Sequence, residues 1–136
     1  MAIQKQHLEF HGVDMREGWE TPPGYPPELD VQQKILAGAL DEAAGTGNRT
    51  RLLRFGPGVR TTRPFVHDYW EEVYLVSGDL TAGVDAEGHG GEAFAPNTYA
   101  CRPPGVYHGP FKSEGGCLLL EIHYYDETAT PARKAT

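Results

Sequence analysis

The feature that most constrains the fold of this chain is the even distribution of its turn-forming residues. Seventeen glycines and eleven prolines are scattered through 136 residues, so few segments between them could form a long helix. Clusters of these residues lie, for example, at 56–58, 103–105 and 115–116. This spacing favours many short strands joined by tight turns, and it predicts an all-β fold of antiparallel strands in one domain.

The segments between the turns predict how the chain is organised. Residues 1–30 contain the stretch TPPGYPP and predict an extended N-terminal arm with bends. Residues 31–126 predict a β-barrel of short strands, from VQQKILAG through TRPFVH and VYHGPF to CLLLEIHYY. The segment LDEAAGTGN could hold one helical turn, and residues 127–136 are expected to form a flexible C-terminal tail.

The charge and hydropathy of the chain argue against several classes of partner. The formal net charge is −7, and the twelve lysines and arginines form no basic stripe, so we do not expect nucleic acid as a partner. No apolar run approaches the roughly 18 residues needed to cross a bilayer, and the first residues lack the pattern of a secretory signal. These observations predict a cytoplasmic protein in which Cys101 and Cys117 are buried free thiols.

A first group of chemically active residues contains His67 and Glu71. If the chain turns within residues 68–70, the next strand runs antiparallel and brings the Glu71 carboxylate back toward the His67 imidazole. Alternation places Glu71 on the same face as Val73 and Leu75. A carboxylate on an apolar inward face is costly to bury alone, which is a reason to expect a cation beside it.

A second group lies in residues 103–108, PPGVYH, where a proline-rich turn delivers His108 onto the following strand. Two neutral imidazoles and one carboxylate form a facial triad, which suits divalent iron, manganese, nickel, copper or zinc and leaves positions open for water and substrate. The sequence therefore predicts that His67, Glu71 and His108 hold a divalent transition metal. The alternative is a hydrogen-bonded network of the same side chains without an ion.

These residues resemble the two sequence motifs of the cupin superfamily. In the first motif, His-x-His is followed after three or four residues by Glu and after six more by Gly; His67, Glu71 and Gly78 have these spacings, whereas Phe65 replaces the first histidine. The second motif, Pro-x-Gly followed after two residues by His, is matched within residues 103–108. The resemblance implies a jelly-roll barrel in which His67, Glu71 and His108 are metal ligands.

The superfamily resemblance covers residues 31–125, with Asn97 where the second motif usually begins with glycine. It implies a metal-dependent enzyme that acts on a small-molecule organic substrate, with an oxygenase-type oxidoreductase as the leading expectation. Cupins also include isomerases, lyases and non-catalytic ligand-binding, metal-binding or sensor modules, so these stay open as alternatives. Because small barrels often hide sheet edges by pairing, and the arm is a natural element to exchange, we also expect a homodimer.

Further candidate residues lie outside the two motifs or beside them. Along CLLLEIHYY either face of the strand could point inward; if His123 does, it could be a fourth metal ligand or an acid or base near the substrate. Tyr107 belongs to an aromatic group that could line a pocket, and it is the second candidate catalytic residue. Arg54, Arg63 and Arg102 could each pair with a substrate carboxylate.

Overall fold

The structure is a computed structural model that describes residues 3–128, and within that range it contains nine β-strands and no helix. The strands are β1 (Val31–Asp41), β2 (Thr46–Phe55), β3 (Val59–Arg60), β4 (Trp70–Gly78), β5 (Leu80–Ala82), β6 (Glu92–Phe94), β7 (Thr98–Arg102), β8 (Phe111–Ser113) and β9 (Cys117–Tyr124). In the described part of the chain, no helix is long and apolar enough to span a membrane. Most of the predicted tail, residues 127–136, lies outside the described residues.

The strands form two antiparallel sheets. The five-stranded sheet has the order β1-β2-β9-β4-β7, and the four-stranded sheet has the order β3-β8-β5-β6. The predicted all-β jelly-roll architecture is confirmed, in the form of two sheets that pack around a shared core. The buried apolar residues of this core are Val31, Leu53, Phe55, Val59, Val73, Leu75, Phe111, Cys117 and Leu119.

Strict alternation along β9 and β4 decides which side chains enter the interior. On β9, every second residue from Cys117 to His123 is buried, and the residues between them are only partly covered. On β4, Glu71 is buried together with Val73 and Leu75, as the sequence predicted. Because β9 lies between β2 and β4, His123 faces Arg49 on β2 and Glu71 on β4, whereas Glu121 faces a polar residue only on β2.

Two strand predictions need correction. The segment TRPFVH is not a strand: within it, only Phe65 pairs, in an isolated bridge to His108. Pro64 has no N–H group to donate to a ladder, which limits pairing there. The segment VYHGPF forms a strand only from Phe111 onward, and Pro110 interrupts it in the same way.

The helical turn considered for LDEAAGTGN is a single turn that closes the β1–β2 hairpin, where the Gly45 N–H donates to the Asp41 carbonyl at 2.8 Å.

The N-terminal arm has two parts. Residues 20–30 pack on the sandwich: Glu20 pairs with Gln33 on β1, Pro22 is fully buried, and Tyr25 packs against the core. Residues 3–18 are exposed throughout, including the large apolar side chains of Ile3, Leu8, Phe10, Val13 and Met15. One further expectation fails on β7, at the opposite edge of the sheet, where Cys101 is exposed; Cys117 is the buried thiol.

Two motif positions require left-handed backbone. Gly78 ends β4 with φ of +87°, and a Cβ there would overlap the Gly116 carbonyl oxygen and lie 2.6 Å from the Cα of Cys117. Only glycine fits this close approach of β4 to β9. Asn97 has φ of 72°, and its Oδ1 accepts a hydrogen bond from the Tyr74 hydroxyl at 2.7 Å. Asparagine tolerates this conformation, which explains how it replaces glycine at the start of the second motif.

Candidate metal centre

Backbone hydrogen bonds hold the loop of His67 against the turn of His108. The N–H of Phe65 donates to the His108 carbonyl at 2.7 Å, and the N–H of His108 donates to the Phe65 carbonyl at 2.9 Å. In the proline-rich turn, the N–H of Gly105 donates to the His67 carbonyl at 2.9 Å. The two histidines therefore sit on adjacent, mutually hydrogen-bonded segments, which fixes their spacing without a regular strand.

The three predicted ligands meet at the carboxylate of Glu71. The Nε2 of His67 lies 3.8 Å from Glu71 Oε2, and the Nε2 of His108 lies 3.4 Å from Glu71 Oε1. One ligating atom from each of the three residues falls within 4.8 Å of the other two. Glu71 is 4% exposed, so the carboxylate is held inside the sandwich rather than in solvent.

Burial keeps both imidazoles neutral. It lowers the pKa of His67 from 6.5 to about 4, although the attraction of Glu71 acts in the opposite direction. Burial also lowers the pKa of His108, against the same attraction. A neutral imidazole has a free nitrogen lone pair at physiological pH, which is the form that binds a metal ion.

Glu71 belongs to a row of four polar residues that crosses β2, β9, β4 and β7, here called the polar row: Arg49, His123, Glu71 and Arg102. Each faces its neighbour directly in the strand register. Arg49 donates from Nε at 3.1 Å and from Nη2 at 2.8 Å to Nδ1 of His123, whose Nε2 lies 2.9 Å from Glu71 Oε2. Arg102 donates from Nη1 to Glu71 Oε1 at 2.9 Å.

The polar row fixes the tautomer of His123. Since a guanidinium group only donates hydrogen bonds, Nδ1 of His123 must accept from Arg49, and Nε2 must carry the proton that Glu71 accepts. His123 is 0% exposed, so the imidazole is locked in this orientation. In this arrangement His123 orients the Glu71 carboxylate and does not present a free lone pair beside it.

A buried ion pair lies next to the polar row. Arg51 on β2 donates to Glu121 Oε1 from Nη2 at 2.7 Å and from Nε at 2.9 Å, and its Nη1 donates to Gln33 at 2.8 Å. Burial raises the pKa of Glu121, but the attraction of Arg51 and hydrogen bonds outweigh this effect and hold it well below its ordinary value. Glu121 also lies 3.4 Å from Nε2 of His123, so Glu71, Glu121 and His123 form a second compact group, in which His123 offers no lone pair to an ion because its Nε2 carries the proton.

These groups open onto a cavity of about 300 Å³ between the two sheets. This volume is at the lower end of the range for sites that hold small organic molecules. The polar side chains on its wall belong to Tyr25, Glu42, Arg49, Arg51, His67, Tyr69, Glu71, Arg102, His108 and Glu121. The apolar side chains belong to Pro23, Leu53, Phe55, Phe65, Val66, Val73, Leu80, Phe111 and Leu119.

The other predicted candidates are placed differently. His123 points inward, which is one of the two orientations that the sequence left open, and it contacts Glu71. Tyr107 does not reach the cavity: its side chain is 69% exposed and lies on the outside of the turn that carries His108. Arg102 lines the cavity, whereas Arg54 stacks over the Trp19 ring at 4.0 Å and Arg63 is exposed.

Several site residues were missed by the sequence analysis. Arg49 and Arg51 have the same parity along β2 as the core residues Leu53 and Phe55, and this alternation was a usable signal for inward-facing arginines. Tyr25 carries no comparable signal, because it enters the cavity from the irregular part of the arm. Burial raises the pKa of Tyr25, so its hydroxyl is neutral at physiological pH.

Comparison with known proteins identifies the fold. No protein-family model and no curated protein matches the sequence. An RmlC-like cupin from Shewanella frigidimarina aligns with a TM-score of 0.62 at 17% identity, over 94% of this chain and all of the other. The chain has the cupin fold. Similar cupins are KdgF from a Halomonas species (TM-score 0.60, 16% identity, 90% of this chain and 100% of the other) and an acetylacetone dioxygenase from Acinetobacter johnsonii (0.57, 15%, 97% and 89%).

Within this cupin fold, Phe65 gives the site an apolar wall where the first motif would supply a histidine. Its ring centroid lies 5.2 Å from that of Tyr25, 6.0 Å from that of His108 and 6.2 Å from that of Phe111. The three possible ligands therefore have an aromatic surface on one side and the other members of the polar row, Arg49, His123 and Arg102, on the other. A small molecule in the cavity would meet both.

Proposed function

We propose that this cupin is a metal-dependent enzyme in which His67, Glu71 and His108 hold a divalent transition metal ion, and that it oxidises a small organic substrate with molecular oxygen. The observation that carries the proposal is the convergence of these three side chains, within 4.8 Å of one another, on the wall of a cavity. Two histidines and one carboxylate with further positions open is the ligand set of non-haem iron oxygenases.

The chemistry of the donor groups fits such an ion. Both imidazoles are neutral because burial lowers their pKa, and Glu71 supplies one negative charge at a buried position. The second imidazole nitrogen of His108 faces the backbone, with Nδ1 3.3 Å from the Val106 carbonyl, which fixes Nε2 as the nitrogen toward the cavity. A bound ion would supply Lewis acidity and the one-electron chemistry that oxygen requires.

The protein's own residues would bind and orient the substrate. Phe65 and Phe111 form an apolar surface that excludes water from one side of the cavity. His123, held by Arg49, donates a hydrogen bond from Nε2 to Glu71 and keeps the carboxylate aimed at His67 and His108. His123 is thus a positioning residue in this proposal rather than a fourth ligand.

The structural neighbours support this direction without deciding it. One is an acetylacetone dioxygenase, which shows that the fold accommodates dioxygenase chemistry on a small molecule. Another, the polyketide cyclase RemF from Streptomyces resistomycificus, shares the fold at 19% identity and a TM-score of 0.55. The same fold therefore serves different reactions, and the assignment to this chain depends on its own site.

A second candidate function is a binding or sensor module without turnover, or a metal-independent isomerase or lyase. It is favoured by the contacts of Glu71, whose Oε1 accepts from Arg102 and whose Oε2 accepts from His123, both at 2.9 Å. Both carboxylate oxygens are therefore satisfied by protein groups alone. This candidate predicts no specific metal binding at His67 and His108.

Elemental analysis separates the two candidates. Protein purified without added metal or chelator is compared with His67→Ala, His108→Ala and, as a matched control, His89→Ala in an exposed turn. We expect about one equivalent of a transition metal in wild type and in the control, and loss of it in the two site variants while circular dichroism stays unchanged. Oxygen uptake in the presence of candidate substrates should then be lost in the same two variants.

The opposite result would reject the metal-dependent proposal. If wild type contains no metal and cannot be loaded with iron, manganese, nickel, copper or zinc, the binding module becomes the better description. Metal retained by both site variants would place the ion elsewhere in the protein.

A further inference from the structure

The charged residues of the cavity wall are balanced before any ion is bound. Among residues 3–128, three carboxylates and three guanidinium groups line the cavity: Glu42, Glu71, Glu121, Arg49, Arg51 and Arg102. His67 and His108 add no charge to this balance, because an imidazole that binds a metal ion through a ring nitrogen is neutral. A divalent ion in the proposed site would therefore leave the cavity with two uncompensated positive charges in a partly buried space, which is unfavourable without an anion.

Arg102 is the guanidinium group most available to such an anion. Arg51 is occupied by Glu121 and Gln33, and Arg49 donates through two nitrogens to His123. Within the described part of the chain, Arg102 makes one hydrogen bond to a protein group, from Nη1 to Glu71. A guanidinium group has five N–H donors, so most of those of Arg102 remain for a ligand.

The position of Arg102 places it beside the proposed metal ligands. Its Nη1 and the Nε2 of His108 approach the same oxygen of Glu71, at 2.9 and 3.4 Å. A metal ion held by Glu71 and His108 would compete with Arg102 for that oxygen and would repel its charge. Both effects favour a negatively charged ligand group that contacts Arg102 and the ion together.

We infer that the substrate of this site is a small organic acid whose carboxylate is bound by Arg102 next to the metal ion. A carboxylate matches the fork of a guanidinium group in two parallel hydrogen bonds. The apolar part of the acid would pack on Phe65 and Phe111, which form the apolar side of the cavity. This inference rests on the metal site proposed above and names the class of molecule that completes it.

The test compares benzoate with benzamide, which has the same shape but no charge. Calorimetry measures the binding of each to the manganese(II)-loaded and the metal-free protein. On the manganese-loaded wild type, we expect benzoate to bind at least tenfold more tightly than benzamide. We also expect benzoate to bind the loaded protein at least tenfold more tightly than it binds the metal-free protein. In Arg102→Gln the preference for benzoate should disappear, while manganese binds as tightly as in wild type or more tightly, because its competitor for Glu71 is gone.

Two further variants complete the test. Arg63→Gln removes an exposed arginine outside the cavity and should leave all four affinities unchanged. Arg102→Lys keeps the positive charge but lacks the two parallel N–H donors of a guanidinium group, so it should retain only part of the preference for benzoate. This variant takes the place of Arg102→Gln if Arg102→Gln does not fold.

The outcomes distinguish the inference from the proposed function. If the loaded wild type binds benzoate and benzamide equally, or neither, or if the Arg102 variants keep the full preference, the carboxylate inference is wrong while the metal site stands. If the wild type binds another of the metals named above but no manganese, the same comparison is made with that metal. If it binds none of iron, manganese, nickel, copper and zinc, the proposed function is wrong and the inference falls with it.

Discussion

Replacing Glu121 by glutamine tests whether the buried ion pair with Arg51 stabilises this fold. The side chains of Glu121 and Arg51 are only 6% and 7% exposed, and two N–H groups of Arg51 donate to Glu121 at 2.7 and 2.9 Å. Glutamine keeps the size of the side chain but leaves the Arg51 charge buried without a counter-charge. Removing one partner of such a pair costs about 3–5 kcal/mol, at least about a fifth of the total stability of a typical domain.

Urea unfolding at pH 7 of the metal-free protein measures this loss. Glu114→Gln is the control, since Glu114 is 74% exposed in its pair with Lys112, and its loss should stay below about 1 kcal/mol. The double variant Arg51→Met with Glu121→Leu removes both charges and should be about as stable as wild type or more stable. A Glu121→Gln protein within about 1 kcal/mol of wild type would contradict the reasoning, as would a double variant as unstable as the single one.

The pH dependence gives an independent check on the same pair. Because the folded state holds the pKa of Glu121 below its ordinary value of 4.5, the ionised carboxylate stabilises the fold above that value. This contribution is lost as the pH falls through the lower, folded pKa. The stability difference between wild type and Glu121→Gln should therefore be largest near neutrality and should shrink below about pH 4.5.

Other predictions concern His67, Gly78 and the N-terminal arm. Burial lowers the pKa of His67 from 6.5 to about 4, so as the pH falls the unfolded chain binds a proton at His67 before the folded protein does. Metal-free wild type should therefore lose stability in urea between these two pH values. His67→Gln should show a smaller loss, and an unchanged loss would contradict this. Gly78→Ala should destabilise the fold more than Gly58→Ala does. A Cβ at Gly58 meets no neighbouring atom, so that substitution adds only the strain of left-handed backbone, about 1–2 kcal/mol. Equal urea midpoints for the two variants would contradict the steric argument. We propose that a second copy covers the exposed arm, so sedimentation velocity should show a homodimer that Leu8→Ser with Phe10→Ser converts to monomer; a monomeric wild type at micromolar concentration would refute it.

The parts of the site that sequence could predict are those set by local spacing. Two-residue alternation places Glu71 on the inner face of β4, and the proline-rich turn fixes the place of His108 in the chain. Both features depend on residues close in sequence. Tyr107 had no such signal, since it was a candidate only as part of an aromatic group; its backbone lies in a turn where alternation does not apply, and the side chain is exposed.

The parts that sequence could not predict depend on strand order. Arg51 meets Glu121 only because β9 pairs with β2, which joins residues that are 70 positions apart. Alternation shows that each strand turns a charged residue inward, but not that the two charges face each other. Tyr25 is harder still, since its place in the cavity follows from how an irregular segment packs.

The replacement of the first motif histidine by Phe65 separates the backbone role of that position from its side-chain role. The N–H and carbonyl of Phe65 still bond to His108 at 2.7 and 2.9 Å, so any side chain at this position would hold the His108 turn in place. The ring instead joins the aromatic wall of the cavity. On the other side of Glu71, His123 supplies an imidazole from β9, 2.9 Å from the carboxylate. Three histidines therefore still surround Glu71, but Arg49 holds the third, His123, in the tautomer that donates a hydrogen bond to Glu71. If the metal proposal holds, the ion would have one protein ligand fewer than in a site with the complete first motif, and one more position for substrate or oxygen.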